Sequence, residues 1–179
     1  MIHSIDTIKL IKSGCIALLL ITLANTLQAQ SKITQARFSE LQQMENVGVK
    51  LFKKDKYEKA YKKLILPAKK GLKQSQYLIG FMYLKGLHVD QSLVEGLAWL
   101  GVAKEADVVD WSATYDSVYR LTTESQQAEI KTLQALYIKS YGLEAQQLDC
   151  NSHRKPGSRR IVIECVKRVI SQIKPFGTF

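Results

Sequence analysis

Few side chains in this 179-residue sequence could do chemistry: three cysteines, three histidines and a scatter of carboxylates. Catalysis needs a nucleophile with a base, or a metal set, and the spacing here supplies neither. His3, His88 and His153 stand far apart, and no His or Cys pair has metal-ligand spacing. No glycine-rich loop of the strand–turn–helix kind is present to cradle a phosphate. His88 and Asp90 read as loop and turn residues, Asp90 being also a possible helix cap. What remains is Cys150 and Cys165, which lie almost symmetrically about the turn signal Pro156-Gly157-Ser158. The β-branched run Ile161-Val162-Ile163 suits a strand. An antiparallel hairpin would place the two cysteines opposite one another, at the separation a disulfide requires. Closing such a loop is worth about 3 kcal/mol by chain entropy, and a two-stranded ribbon needs that help.

A disulfide presupposes an oxidising compartment, and the first 29 residues read as an export signal. Lys9 and Lys12 precede an apolar run from Gly14 to Ala24, and Leu27-Gln28-Ala29 offers a cleavage site. The run is shorter than the roughly 20 residues of a membrane-spanning helix, with retention as an uncleaved anchor as the alternative. Cys15 precedes the apolar core, where a lipidated cysteine would follow it. Cleavage after Ala29 leaves 150 residues, enough for one domain with its own core. It also leaves two cysteines, an even count that favours one disulfide over two free thiols.

The formal charge is +10, or +9 without the signal. It is unevenly spread. Residues 50–74 carry ten lysines against Asp55 and Glu58, a local +8. Residues 75–150 carry five cations against ten carboxylates, a local −5, and residues 151–174 carry seven cations against Glu164, a local +6. Such blocks either steer an anionic partner or simply form solvated faces.

Helical spacing dominates to residue 142. Leu41, Met44, Gly48 and Leu51 share one face of a helix over about 33–54. After the polar turn Lys54-Asp55-Lys56, a second helix repeats Tyr57, Ala60, Tyr61, Leu64 and Ala68, with Lys56, Lys59, Lys63 and Lys70 opposite and Lys62 close by. Pro67 should kink or shorten it after Leu66. Leu93, Gly96, Leu97, Leu100 and Ala103 form another stripe. Asp110 is expected to cap a short helix bearing Trp111, Tyr115, Val118 and Tyr119. Thr122 or Thr123 should cap a last one, with Ile130, Leu133, Tyr137 and Tyr141 inward and Gly142 as its stop.

Residues 77–84 are almost wholly apolar, so periodicity alone does not separate helix from strand. The stretch Tyr77-Leu-Ile-Gly80-Phe-Met-Tyr83-Leu-Lys-Gly86, followed by Val89-Asp90 and Glu95-Gly-Leu-Ala98-Trp99, is similar to the Sel-one-like repeat. That family is a relative of the tetratricopeptide repeat, whose turn and second-helix start Asp55-Lys-Tyr57-Glu-Lys-Ala60 closely resembles. The resemblance implies helix for residues 77–84, in a pair of antiparallel helices that stack on neighbouring pairs. Gly96 stands where the family usually has alanine. The layout Cys150…Gly157-Ser158-Arg159…Cys165 resembles a tail found on small exported proteins of Gram-negative bacteria.

The expected fold class is therefore mostly α, a short stack of α-hairpins of the tetratricopeptide or Sel-one-like type, with a small C-terminal disulfide-closed β-hairpin. The expected organisation is a signal at 1–29, a helical repeat domain at 30–142 with the Sel-one-like unit at about 74–106, and a basic hairpin and tail at 143–179. The pair of helices after residue 109 reads as a degenerate third unit or a cap.

The resemblance implies a non-enzymatic periplasmic or secreted adaptor, working through a groove along the stacked first helices. Its partner is expected to be a protein, with no cofactor, no small-molecule substrate and no nucleic acid. Trp111, Tyr115 and Tyr119 are the candidates for an exposed aromatic contact. Lys59, Lys62 and Lys63, with Arg159 and Arg160, are the candidates for contact with an anionic envelope surface. That second reading, a polyanion-binding module, makes binding fall with salt. A cell-wall hydrolase is the third and weakest reading.

Overall fold

A computed structural model describes residues 28, 29, 32, 34–157 and 161–168. The expected export signal thus lies outside the described residues except at Gln28 and Ala29, and Arg159 and Arg160 lie outside them entirely. The chain divides into two compact units, Met1–Ser39 and Glu40–Phe179. The described residues of the first are helical.

The second unit begins with helix α1, residues 40–52. It continues through α2 (Tyr57–Lys69), α3 (Lys73–Lys85), α4 (Leu93–Ala103), a 3-10 turn (Lys104–Ala106), α5 (Val109–Tyr119) and α6 (Glu124–Tyr141). Strands β1 (Leu148–Arg154) and β2 (Ile161–Lys167) close it as an antiparallel pair. The apolar run 77–84 is helix, as the resemblance implied. Pro67 departs from expectation, because α2 runs on past it to Lys69. The lost N–H bond and the crowding by the ring are outweighed by burial, since Leu64, Pro67 and Ala68 are all buried, and Pro67 itself accepts through its carbonyl. Leu72 N donates to Pro67 O at 3.0 Å and Gly71 N to Ala68 O at 3.0 Å, with Gly71 at φ +88°. That paired capping pattern with a left-handed glycine ends the helix cleanly.

Caps come from three sources. Ser92 accepts from Glu95 N at the start of α4, and Thr123 and Gln126 form a reciprocal capping box at α6. Asp110 does not cap α5. The position before that helix is Val108, and Asp110 lies in its first turn, where a carboxylate still favours the helix dipole. Helix α3 starts at Leu72 without a cap of its own. Glu45 of α1 provides one from outside, its Oε1 accepting from Ser75 N at 2.8 Å and Ser75 Oγ at 2.9 Å.

Two apolar clusters form the core. Ala60, Leu64 and Ala68 of α2 meet Leu78, Ile79 and Met82 of α3 and Trp99 of α4. Leu84, Leu97 and Leu100 meet Tyr115 of α5 and Ile130 of α6. Each fully buried leucine or isoleucine contributes roughly 1.5–3 kcal/mol of transfer free energy. Helices α3 and α4 come into close contact at Gly80 and Gly96. A Cβ on Gly80 would lie 2.8 Å from Gly96 O, and one on Gly96 would lie 2.6 Å from Leu84 Cδ2. The glycine at position 96 therefore admits a backbone contact that alanine would obstruct.

Candidate interaction surface

A row of half-buried aromatic rings crosses the first helices of the three hairpins. Phe52 at the end of α1 packs edge-on against Phe81 of α3 at 6.1 Å. One turn before Phe81, Tyr77 stacks on Trp111 of α5 with centroids 4.6 Å apart and planes 12° from parallel. Spacing of four along α3 puts Tyr77 and Phe81 on one side of that helix. Each ring keeps part of its surface in water, so the row joins the helices while offering apolar area to a partner.

The β-hairpin lies beside the N-terminal parts of these helices. Cys150 pairs with Cys165 in the ladder and is joined to it by the disulfide, with Cα atoms 4.0 Å apart. The face bearing these cysteines also carries Leu148, which is fully buried against Gly71. A Cβ on Gly71 would lie 2.8 Å from Leu148 Cδ1, so glycine is required there for contact as well as for backbone sign. Gln42 of α1 donates from Nε2 to Cys165 O at 3.1 Å, and Arg168 pairs with both Asp149 and Glu144. The base of the hairpin is thus fastened. Its far half stands off, leaving a cleft of about 360 Å3 between Asp107–Asp110 and Ser152, His153, Arg154 and Ile161. A smaller cavity of about 180 Å3 continues beneath Ile161 and Ile163 to Gln74 and Trp111.

The three aromatic candidates separate. Trp111 belongs to the row. Tyr115 is not exposed: it is buried at 8% and its hydroxyl donates to Gln134 Oε1 at 2.9 Å. Burial pushes its phenol up to about 12, and Lys104 Nζ lies 4.5 Å over its ring. Tyr119 stacks on Tyr115 at 5.4 Å and is half-buried. A helix turns 100° per residue, so Trp111 and Tyr115, four apart, share a side that α3 and α4 cover unequally. Lys59, Lys62 and Lys63 are exposed, and Lys62 is paired with Glu58 at 2.6 Å.

Lys73 does not belong to the lysine face. It is fully buried, with Nζ 2.6 Å from Glu105 Oε2, 2.9 Å from Gln76 Oε1 and 3.3 Å from Val102 O. Burial lowers its pKa, and the Glu105 carboxylate opposes that shift. Glu105 Oε2 also accepts from Leu143 N, while Gln76 Nε2 donates to Ala68 O and to Tyr141 O. One enclosed polar node therefore ties α2, α3, the 3-10 turn and the end of α6. Sequence reasoning missed it, since a lysine among ten looks like surface. Among the described residues no group of His, Cys, Asp or Glu could hold a metal ion, and no helix is long and apolar enough to cross a membrane.

No family model matches the chain, and no curated protein does either. A solved structure does. It is the crystal structure of a protective antigen present in uropathogenic Escherichia coli strains and displaying an SLR fold, that of the Sel-one-like repeat. It aligns at 24% identity with a TM-score of 0.52, over 65% of this chain and 27% of the antigen. The chain thus spans little more than a quarter of that antigen's length. The stacked α-hairpins of this chain thus have the SLR fold, and a disulfide-closed β-hairpin follows them.

Proposed function

We propose that the protein is a non-enzymatic interaction module of the bacterial envelope, which receives a peptide or helix of a protein partner. The observation that carries this reading is the ring row Phe52, Phe81, Tyr77 and Trp111, half-buried across three successive first helices. Large aromatic rings held rigid by stacking lose little entropy on binding and dominate contact energies. The cross-strand disulfide supports an oxidising compartment outside the cytoplasm, and the likeness to a protective antigen agrees with it. The test is photo-crosslinking in cells from position 111, with Phe52→Ala and Phe81→Ala as controls. Capture of one protein, lost in both alanine variants, supports the reading. Equal capture from an exposed position on α6 such as Lys139 removes it.

A second reading, binding to an anionic envelope surface, rests on the nine exposed lysines of residues 50–70. Among the described ion pairs only Lys62 of these has a carboxylate partner. Neutralising Lys59, Lys62 and Lys63 to glutamine should then abolish retention on a polyanion matrix. Retention unchanged by that triple variant, or by high salt, rejects it.

A further inference from the structure

The outer edge of β1 carries open backbone groups beside a cleft. Cys150 and Cys165 have Cα atoms 4.0 Å apart, the short spacing of an antiparallel pair that exchanges no ladder bonds. Two hydrogen bonds agree with that alternation. Arg168 N donates to Gln147 O at 2.8 Å, three positions further along the register, and Cys165 O turns away from β1 to accept from Gln42. The N–H and C=O groups of Ser152 and Arg154 therefore point away from β2. The base of this edge is closed, since Leu148 N donates to Leu143 O. At Ser152 and Arg154 no hydrogen bond among the described residues occupies it. The cleft of about 360 Å3 runs along the edge, because Ser152, His153 and Arg154 all line it although their side chains alternate between faces. Beneath Ile161 and Ile163 lies the cavity of about 180 Å3, with Val108, Trp111 and the two isoleucines as apolar walls and Gln74 and Asp110 as polar ones. Neither the half-buried Gln74 nor Asp110 has a side-chain hydrogen bond or ion pair among the described residues.

An open strand edge is complementary to extended backbone. A narrow cavity with apolar walls and one unpaired carboxylate is complementary to a long side chain with a cationic end. We infer that an extended segment of the protein partner adds as a third strand beside β1, bonding to the backbone of Ser152 and Arg154. One of its lysine or arginine side chains passes beneath Ile161, its stem against Val108, Ile163 and Trp111 and its charge at Asp110 and Gln74. The backbone bonds supply sequence-tolerant affinity, and the cavity selects the basic residue. This rests on the reading of a peptide-receiving module, and it names the form of the peptide and the side chain that is read.

Calorimetric titration of the purified protein with an acetylated, amidated peptide Thr-Val-Thr-Lys-Thr-Val-Thr tests this. Alternate amides of an added strand face its neighbour. Methylating the backbone nitrogens of the two inner threonines, or instead those of the two valines, should weaken binding about tenfold in one case and hardly in the other. Norleucine in place of the lysine, and Asp110→Asn in the protein, should each cost about tenfold, and both together little more than either alone. Ser152→Pro removes an outward N–H without touching a ladder bond, and should weaken binding with helical circular dichroism unchanged. Should that variant disturb the hairpin, the methylated peptides carry the same test. No binding at about 1 mM peptide, equal effects of the two methylations, or no loss with norleucine overturns the proposal. In any of those cases specific capture from position 111 in cells leaves the module reading standing. Absence of that capture removes the module reading and this inference together.

Discussion

At the scale of single residues, the buried polar groups make the sharpest demands. Glu45 has its pKa raised by burial, opposed by its hydrogen bonds from Ser75. A carboxyl whose folded pKa exceeds its unfolded one gives stability that is full below the unfolded value and declines as pH rises through the folded value. Glu45→Gln removes that decline. Urea unfolding from pH 4 to 7 should therefore show the variant gaining on the wild type as pH increases. Glu105→Gln is expected to cost about 2 kcal/mol, below the usual range for a broken buried pair because Glu105 is 26% exposed. Lys73→Met, which removes the charge and keeps the volume, should cost less in the same denaturant series. Gly80→Ala gains about 1 kcal/mol of helix propensity yet should destabilise, because its methyl would meet the backbone of Gly96 and Leu100. Gly96 was legible in the sequence only as a departure from the usual alanine, not as a close approach. The burial of Glu45 and Lys73 was not legible, because a charged residue on an amphipathic helix carries no mark of whether a neighbouring element will enclose it.

At the scale of elements, the repeat pair 73–103 and the hairpin were legible for different reasons. The helices followed from apolar spacing, with the resemblance deciding the run 77–84. The hairpin followed from two cysteines set evenly about a Pro-Gly turn, because antiparallel pairing makes sequence symmetry into spatial opposition. Pro67 was expected to kink or shorten α2, and it does not shorten it, because burial of Leu64, Pro67 and Ala68 outweighs the lost backbone bond. The contacts of the hairpin with α1 and the α2–α3 turn were invisible, as they depend on tertiary placement alone. Replacing both Cys150 and Cys165 with alanine should release about 3 kcal/mol of loop constraint. Limited proteolysis should then cut within 148–168 first, while helical circular dichroism persists. Equal protease resistance before and after reduction would show that Leu148, Gln42 and Arg168 suffice to hold the ribbon.

At the scale of the whole molecule, charge segregation was readable from composition, though its true value on the lysine side is one unit lower once Lys73 is counted as buried. Nine clustered lysines repel one another, and salt screens that repulsion. The melting temperature should therefore rise with added salt, and the response should shrink in the Lys59→Gln, Lys62→Gln, Lys63→Gln variant. A stack of hairpins ordinarily flexes like a spring, because each unit touches only the next. Here a covalently closed ribbon touches Gln42 on the first helix, Gly71 at the second turn and the 3-10 turn beyond the fourth helix. A strap across non-adjacent coils takes away much of that give. Whatever docks along these helices meets a stiff template, and the bending needed for a fit falls to the guest.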